Sequence, residues 1–127
     1  MPLTVMHIDD ETDIREVAAF ALELDSDLAL ISVGSGAEAL AHLETGPAPD
    51  IILLDVMMPS MDGPSVLARL REIEGLEKTP VVFMTARAQS EEVERLKALG
   101  AIGVVVKPFD PMTLARQLRD ILAAADA

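Results

Sequence analysis

Short apolar runs alternate along the chain with longer segments in which apolar residues recur at helical spacing. Most of the short runs are nearly continuous rather than alternating apolar and polar, which is typical of strands buried on both faces of a parallel sheet. The runs that predict strands are Leu3–Ile8, Leu28–Val33, Ile51–Leu54, Val81–Met84 and Ile102–Val106. The pattern therefore predicts five strands covered by helices on both sides.

A segment with the i, i+3, i+4 period of an amphipathic helix follows each predicted strand. These segments are marked by the apolar positions within Ile14–Leu22, Ala37–Ala41, Val66–Ile73, Val93–Leu96 and Leu114–Leu122. Asp62 and Asp110 each stand just before a proline of a first helical turn and predict the starts of the third and fifth helices. Ser90 precedes two glutamates and predicts the start of the fourth helix.

Five strand–helix units predict an α/β fold with an open, doubly wound parallel sheet and right-handed crossovers. We expect a flavodoxin-like sandwich with strand order 2-1-3-4-5, whose functional crevice lies at the carboxyl ends of strands 1 and 3. The 127 residues fit one domain, residues 1–127, with no output domain. Met1 and the short tail Ala123–Ala127 favour a stand-alone protein, and a piece cut from a longer chain is the alternative.

The formal charge of −12 opposes direct binding to nucleic acid, which rewards clusters of Lys and Arg. The same charge suits a site that gathers a cation, although solubility alone explains it as well. The absence of cysteine excludes disulfides and thiolate metal sites. Because no signal peptide and no membrane-length apolar run is visible, we expect a soluble cytoplasmic protein without a membrane partner.

Polar side chains mark the carboxyl ends of four predicted strands. Asp9 and Asp10 follow the first strand and Asp55 follows the third. Thr85 ends the fourth strand and Lys107 follows the fifth. The doubly wound topology gathers these ends at one edge of the sheet, so we expect three carboxylates, a hydroxyl and an ammonium to face a common crevice.

Three neighbouring carboxylates repel one another unless a cation lies between them. All-oxygen ligands suit Mg²⁺, and the alternative is that Asp9 and Asp10 cap the first helix. Asp55 is a candidate nucleophile towards phosphorus, with Lys107 and the cation neutralising the transferred group. A resting ion pair with Asp55 is the alternative for Lys107, and an ordinary strand-end hydroxyl is the alternative for Thr85.

Taken together and in this order, the motifs of the chain resemble those of receiver domains of two-component response regulators. The resemblance covers almost the whole chain. The matching segments are His7-Ile8-Asp9-Asp10-Glu11, Leu53-Leu54-Asp55-Val56-Met57-Met58-Pro59, Met61-Asp62-Gly63, Phe83-Met84-Thr85-Ala86 and Lys107-Pro108-Phe109. The resemblance implies a signalling domain rather than an enzyme, one that assists its own phosphorylation and slow dephosphorylation.

The resemblance also implies site roles. Asp55 resembles the phosphorylated aspartate and a ligand of Mg²⁺ or Mn²⁺, with Asp10 as a further direct ligand. Asp9 is expected to act through water, and Met57 through its backbone carbonyl.

Thr85 resembles the switch hydroxyl and Lys107 the lysine that pairs with the phosphoryl group. The Lys107–Pro108 bond is expected to be cis. The implied partners are a sensor histidine kinase or a histidine phosphotransfer protein, and an unknown downstream protein bound through the fourth helix, fifth strand and fifth helix. The implied assembly is a monomer or a weak, phosphorylation-dependent homodimer.

The chain departs from the family pattern at three positions. Val104 stands where many receivers carry the Tyr or Phe of the switch, so we expect Thr85 to act through the backbone and packing of the loop that follows it. Met57 and Arg87 occupy the two positions that tune acyl-phosphate lifetime. Since neither side chain offers a base or orients a water, we predict slow self-hydrolysis.

Two other classes share the fold or the chemistry. An aspartate-nucleophile phosphatase of the dehalogenase type carries a second Asp two residues after the nucleophile, where this chain has Met57. A flavin-binding protein is disfavoured by the absence of Trp and Tyr and of a Ser/Thr-rich loop after the first strand. His7 and His42 are predicted to be core or surface residues rather than zinc ligands.

Overall fold

The computed structural model describes residues 2–87 and 89–126. Met1 and Ala127, on which part of the stand-alone prediction depends, lie outside the described residues, as does Ala88. The strands are β1 (Leu3–Ile8), β2 (Leu28–Val33), β3 (Ile51–Asp55), β4 (Val81–Thr85) and β5 (Gly103–Val106). The helices are α1 (Thr12–Glu23), α2 (Gly36–Thr45), α3 (Gly63–Leu70), α4 (Ser90–Ala98) and α5 (Leu114–Asp126).

All strand pairs are parallel, and the sheet order is β2-β1-β3-β4-β5. The predicted fold class and strand order are therefore confirmed. In the register, Ile8 lies opposite both Val33 and Leu54, and Thr85 lies opposite Val106. Because the strands end at nearly the same level, the residues that follow them share one edge of the sheet.

Two apolar layers cover the sheet, one on each face. Met6 and Ile8 point into a layer that includes residues of α2 and α3, whereas Val5 points into a layer with α1 and α5. β3 and β4 are buried along their whole length, while the edge strand β2 is partly exposed. This burial explains why the central strands are continuous apolar runs in the sequence. Among the described residues, no helix is long and apolar enough to cross a membrane.

The helix starts agree with the sequence prediction at α3 and α4. Asp62 is the N-cap of α3 and accepts a hydrogen bond of 2.9 Å from the Ser65 N–H. Gly63 is packed so tightly that a Cβ there would lie 2.5 Å from the carbonyl oxygen of Asp55. This packing fixes the β3–α3 connection directly beside the end of β3.

The predicted start of the fifth helix at Asp110 and Pro111 is wrong. The α-helix begins at Leu114, and residues 111–113 form a turn before it. In that turn the Asp110 carboxylate accepts a hydrogen bond of 2.9 Å from the Met112 N–H, and the Asp110 carbonyl accepts one of 3.1 Å from the Thr113 N–H. β1 and β2 have the predicted bounds, whereas Asp55 and Thr85 are the last residues of β3 and β4, and Ile102 precedes β5. The helix α3 ends at Leu70, three residues before the predicted Ile73.

Candidate functional site

An ammonium group bridges two buried carboxylates at the carboxyl edge of the sheet. Nζ of Lys107 lies 3.1 Å from Oδ2 of Asp9 and 3.1 Å from Oδ1 of Asp55. Asp9 directly follows β1, Asp55 ends β3 and Lys107 directly follows β5. The ion pair between Lys107 and Asp55 that the sequence suggested is thus present, and Asp9 is a second partner. The Lys107–Pro108 peptide bond is cis, as expected.

Asp9, Asp10 and Asp55 form a compact carboxylate cluster. One oxygen of each lies within 4.8 Å of the others. Among the described residues, Oδ1 of Asp10 and Oδ2 of Asp55 are buried atoms without a hydrogen-bond partner. Buried polar atoms are normally paired, and hard divalent cations such as Mg²⁺ prefer carboxylate oxygens. The donor set therefore fits a divalent cation.

The alternative that Asp9 and Asp10 cap the first helix receives little support. The N-cap residue of α1 is Glu11, and no side chain caps the helix there. Oδ1 of Asp9 accepts a hydrogen bond of 2.9 Å from the Glu11 N–H, which precedes the helix. Asp9 thus orders the β1–α1 turn, and its other oxygen, Oδ2, faces Lys107.

Burial of the Asp55 carboxylate raises its pKa to about 6. The hydrogen bond from Lys107 opposes this rise, and the charge of Asp9 adds to it. Burial alone lowers the pKa of Lys107, but the contacts with Asp55 and Asp9 outweigh it, so the pKa of Lys107 is raised. Lys107 is therefore charged at neutral pH. Asp55 is mostly ionised at that pH, although its burial disfavours the charge.

The side chains of the remaining predicted site residues make no ion pair with this cluster among the described residues. Thr85 is buried at the end of β4, and its Oγ1 accepts a hydrogen bond of 3.1 Å from the Arg87 N–H. The Arg87 side chain is exposed and lines a surface cleft with Glu92 and Arg95. Met57 is 76% exposed, and Val104 is partly buried in β5 opposite Phe83.

Two neighbours of the cluster had no assigned part in the predicted site. Arg15 donates a hydrogen bond of 2.7 Å to the backbone carbonyl of Asp9, and its guanidinium covers Gly34. His7 is fully buried, and its Nε2 lies 3.8 Å from Oδ2 of Asp9. Burial is the main cause that lowers the pKa of His7 to about 4, so the ring is neutral at neutral pH. The two-residue strand period was the available signal, since it places His7 and Asp9 on one face.

Comparison with known proteins shows which family this chain is similar to. The model of the response regulator receiver domain family matches residues 5–119. Response regulator Rre1 of Synechocystis sp. is 32% identical over 126 residues, which cover 99% of this chain and 54% of Rre1. The chain thus spans about half the length of that relative.

Solved structures give the same picture. The chemotaxis response regulator CheY4 of Vibrio cholerae superposes with a TM-score of 0.86 at 31% identity, covering 95% of this chain and 99% of CheY4. The Mn²⁺-bound form of response regulator Rcp1 superposes with a TM-score of 0.76 at 26% identity, covering 96% of this chain and 93% of Rcp1. The similarity therefore extends over nearly the whole chain, including the strand ends that carry the carboxylates.

Proposed function

This chain belongs to the response regulator receiver domain family, and from that premise we propose that Asp55 is the residue that accepts its phosphoryl group. The chain is a phospho-acceptor signalling domain. The observation that carries the assignment to Asp55 is its position as a buried carboxylate, 3.1 Å from Lys107, with one oxygen left unpaired among the described residues. A carboxylate oxygen of Asp55 is the proposed nucleophile. It forms the new O–P bond as the bond between phosphorus and its leaving group breaks.

A divalent cation, Mg²⁺ or Mn²⁺, is part of this proposal. Asp55, Asp10 and the backbone carbonyl of Met57 would hold it directly, and Asp9 would hold it through water. When bound, the cation neutralises charge on the transferred phosphoryl oxygens. The unpaired oxygens of Asp10 and Asp55 support this ligand set, and the Mn²⁺-bound Rcp1 is a related protein with such a metal.

Lys107 and Thr85 are proposed to respond to the phosphoryl group. The ammonium of Lys107 exchanges one of its two carboxylate contacts for a phosphoryl oxygen, which becomes its strongest charge partner. The hydroxyl of Thr85 turns from the Arg87 N–H towards another phosphoryl oxygen. Because Arg87 lies in the connection between β4 and α4, this exchange alters that loop.

The output surface is proposed to be the face formed by α4, β5 and α5. An apolar groove on this face is lined by Val104, Val106, Ile121 and residues of α4, with Lys97 among them. Because Val104 has no ring that swings inward, we propose that the message is carried by the backbone and packing of the β4–α4 loop. Structures with and without a phosphoryl mimic test this: an unmoved Thr85 and an unmoved loop would refute it.

The acyl phosphate is proposed to be long-lived. Met57 extends into solvent and offers no donor or acceptor that could orient an attacking water. Arg87 is cationic and exposed, so it favours pairing with the phosphoryl group over activating water. Neither side chain therefore accelerates hydrolysis of the acyl phosphate on Asp55.

The partners follow from family membership as proposals. A sensor histidine kinase or a histidine phosphotransfer protein supplies the phosphoryl group, and a downstream protein of unknown identity reads the output face. The assignment of residues 1–127 to a single receiver domain, and assembly as a monomer or a weak phosphorylation-dependent homodimer, stay predictions. Self-catalysed phosphorylation and slow dephosphorylation are the enzymatic part of the proposal.

Incubation with the small phosphodonor acetyl phosphate and Mg²⁺ tests the function. Intact-mass spectrometry of the native chain should show one added phosphoryl group, and chelation of Mg²⁺ should abolish it. The Asp55→Asn variant should stay unlabelled, because an amide is no nucleophile towards phosphorus. Equal labelling of that variant would show that another residue is the acceptor.

A further inference from the structure

His7 is a buried polar side chain without a partner. It is fully inaccessible to solvent within β1, and neither ring nitrogen has a hydrogen bond among the described residues. Buried polar groups are nearly always hydrogen-bonded, and an exception in a folded protein calls for an explanation. A valine or leucine would fill a core strand position without this penalty. The imidazole therefore has a cost in the state that the structure shows.

The position of the ring explains where a partner is available. His7 and Asp9 lie two residues apart, on the side of β1 whose apolar layer contains α1 and α5. Nε2 of His7 is 3.8 Å from Oδ2 of Asp9, about 0.9 Å longer than a typical N–H···O hydrogen bond. Closing that gap requires one of the two side chains to rotate.

In the structure, Lys107 already contacts the same oxygen, Oδ2 of Asp9. Its Nζ is 3.1 Å from Oδ2 of Asp9 and equally close to Oδ1 of Asp55. Under the proposed function Lys107 turns towards the phosphoryl group on Asp55, and Oδ2 of Asp9 then loses its charged partner.

The other donors around Asp9 are already engaged elsewhere. The Glu11 N–H binds the opposite carboxylate oxygen at 2.9 Å. The guanidinium of Arg15 binds the backbone carbonyl of Asp9 rather than its carboxylate. The imidazole of His7 is thus a buried and uncommitted donor next to Oδ2.

We propose that His7 is a positioning residue whose ring N–H takes over Oδ2 of Asp9 when Lys107 engages the phosphoryl group. This inference rests on the proposed function of Asp55 and Lys107. Its consequence is that Asp9 keeps the orientation of the cation site after Lys107 has left it. Loss of a hydrogen-bond partner that orients a metal ligand typically costs about 10- to 100-fold in metal affinity.

Nuclear magnetic resonance of the native chain, labelled with ¹⁵N-histidine, tests the contact directly. The sequence has two histidines, and the exposed His42 on α2 is the internal reference. On addition of Mg²⁺ and beryllofluoride, a phosphoryl mimic, the imidazole nitrogens of His7 should shift and those of His42 should not. If the His7 nitrogens stay unchanged while the backbone amides around Asp55 shift, the proposed role of His7 is wrong and the proposed function of Asp55 stands. If the backbone amides around Asp55 also stay unchanged, the proposed function itself is wrong.

Variants separate positioning from simple core packing. His7→Leu should weaken Mg²⁺-dependent beryllofluoride binding about tenfold, while Mg²⁺ alone binds nearly as in the native chain because Lys107 still holds Asp9. His7→Gln retains an N–H and should recover part of the loss. Met6→Leu, a change in β1 on the opposite face, is the control with native affinity.

Thermal unfolding without metal supplies the second readout. Because His7 has no partner to lose, His7→Leu should unfold at the native temperature or higher. Native beryllofluoride affinity in His7→Leu would overturn the proposal, and so would a loss of affinity that His7→Gln does not reduce at all.

Discussion

Replacing Asp55 by Asn should stabilise the protein, and more so as the pH rises. Burial raises the pKa of Asp55 from 3.8 to about 6, so the folded state resists the ionised carboxylate. The unfolding free energy of the native chain is therefore highest below pH 3.8, and it falls as the pH rises through about 6 and Asp55 ionises. This rise in the pKa lowers the unfolding free energy of the native chain by about 3 kcal/mol at pH 8. At pH 4.5 the same linkage lowers it by only about 1 kcal/mol.

The expected result is therefore a stability difference between Asp55→Asn and the native chain that grows by about 2 kcal/mol from pH 4.5 to pH 8. Urea unfolding followed by far-ultraviolet circular dichroism measures it, since the chain has no Trp and no Tyr. A chelator keeps divalent cations away from the carboxylates. Glu44→Gln, an exposed change on α2, is the control and should show no such growth. A difference that is constant with pH, or that shrinks towards pH 8, would refute the electrostatic account of Asp55.

Three further predictions follow from the site and its frame. Saturating Mg²⁺ should raise the melting temperature of the native chain but not that of Asp10→Asn, because a ligand stabilises the state that binds it; an equal rise in both would exclude Asp10 as a ligand. Gly63→Ala should lower the unfolding free energy by about 2 kcal/mol, since its Cβ would lie 2.5 Å from the Asp55 carbonyl oxygen; urea unfolding measures the loss, and native stability would contradict the packing. Met57→Asn should shorten the lifetime of radiolabelled phospho-protein by supplying a group that orients water, and a native lifetime of seconds would contradict slow hydrolysis.

Much of the fold could be predicted because its signals are local. The continuous apolar runs of β3 and β4 reflect burial on both faces, and the strand–helix alternation allows few topologies. The start of α5 was missed because two local motifs share one signal. An aspartate before a proline favours a helix start, but residues 111–113 form a turn and the helix begins at Leu114. Only the backbone path decides between the two.

The sequence was sufficient to predict which residues form the site, but not which of them contact one another. Strand ends placed Asp55, Asp9 and Lys107 at one edge of the sheet, yet β1 and β5 are not neighbours in it. The contact of 3.1 Å between Lys107 and Asp9 depends on how far a long side chain reaches across that edge. The unpartnered state of His7 depends in turn on packing between the sheet and its helices, which no spacing in the sequence reveals.

The measurement that tests the central claim most directly is chemical identification of the phosphorylated residue. Borohydride reduces an acyl phosphate to an alcohol, so phosphorylated aspartate becomes homoserine, whereas phosphoserine and phosphothreonine are not reduced. After treatment with acetyl phosphate, Mg²⁺ and borohydride, peptide mass spectrometry should find homoserine at position 55 and at no other position. Homoserine at Asp9 or Asp10, or its absence from position 55 in a chain that carries a phosphoryl group, would contradict the assignment of Asp55 as the phospho-acceptor.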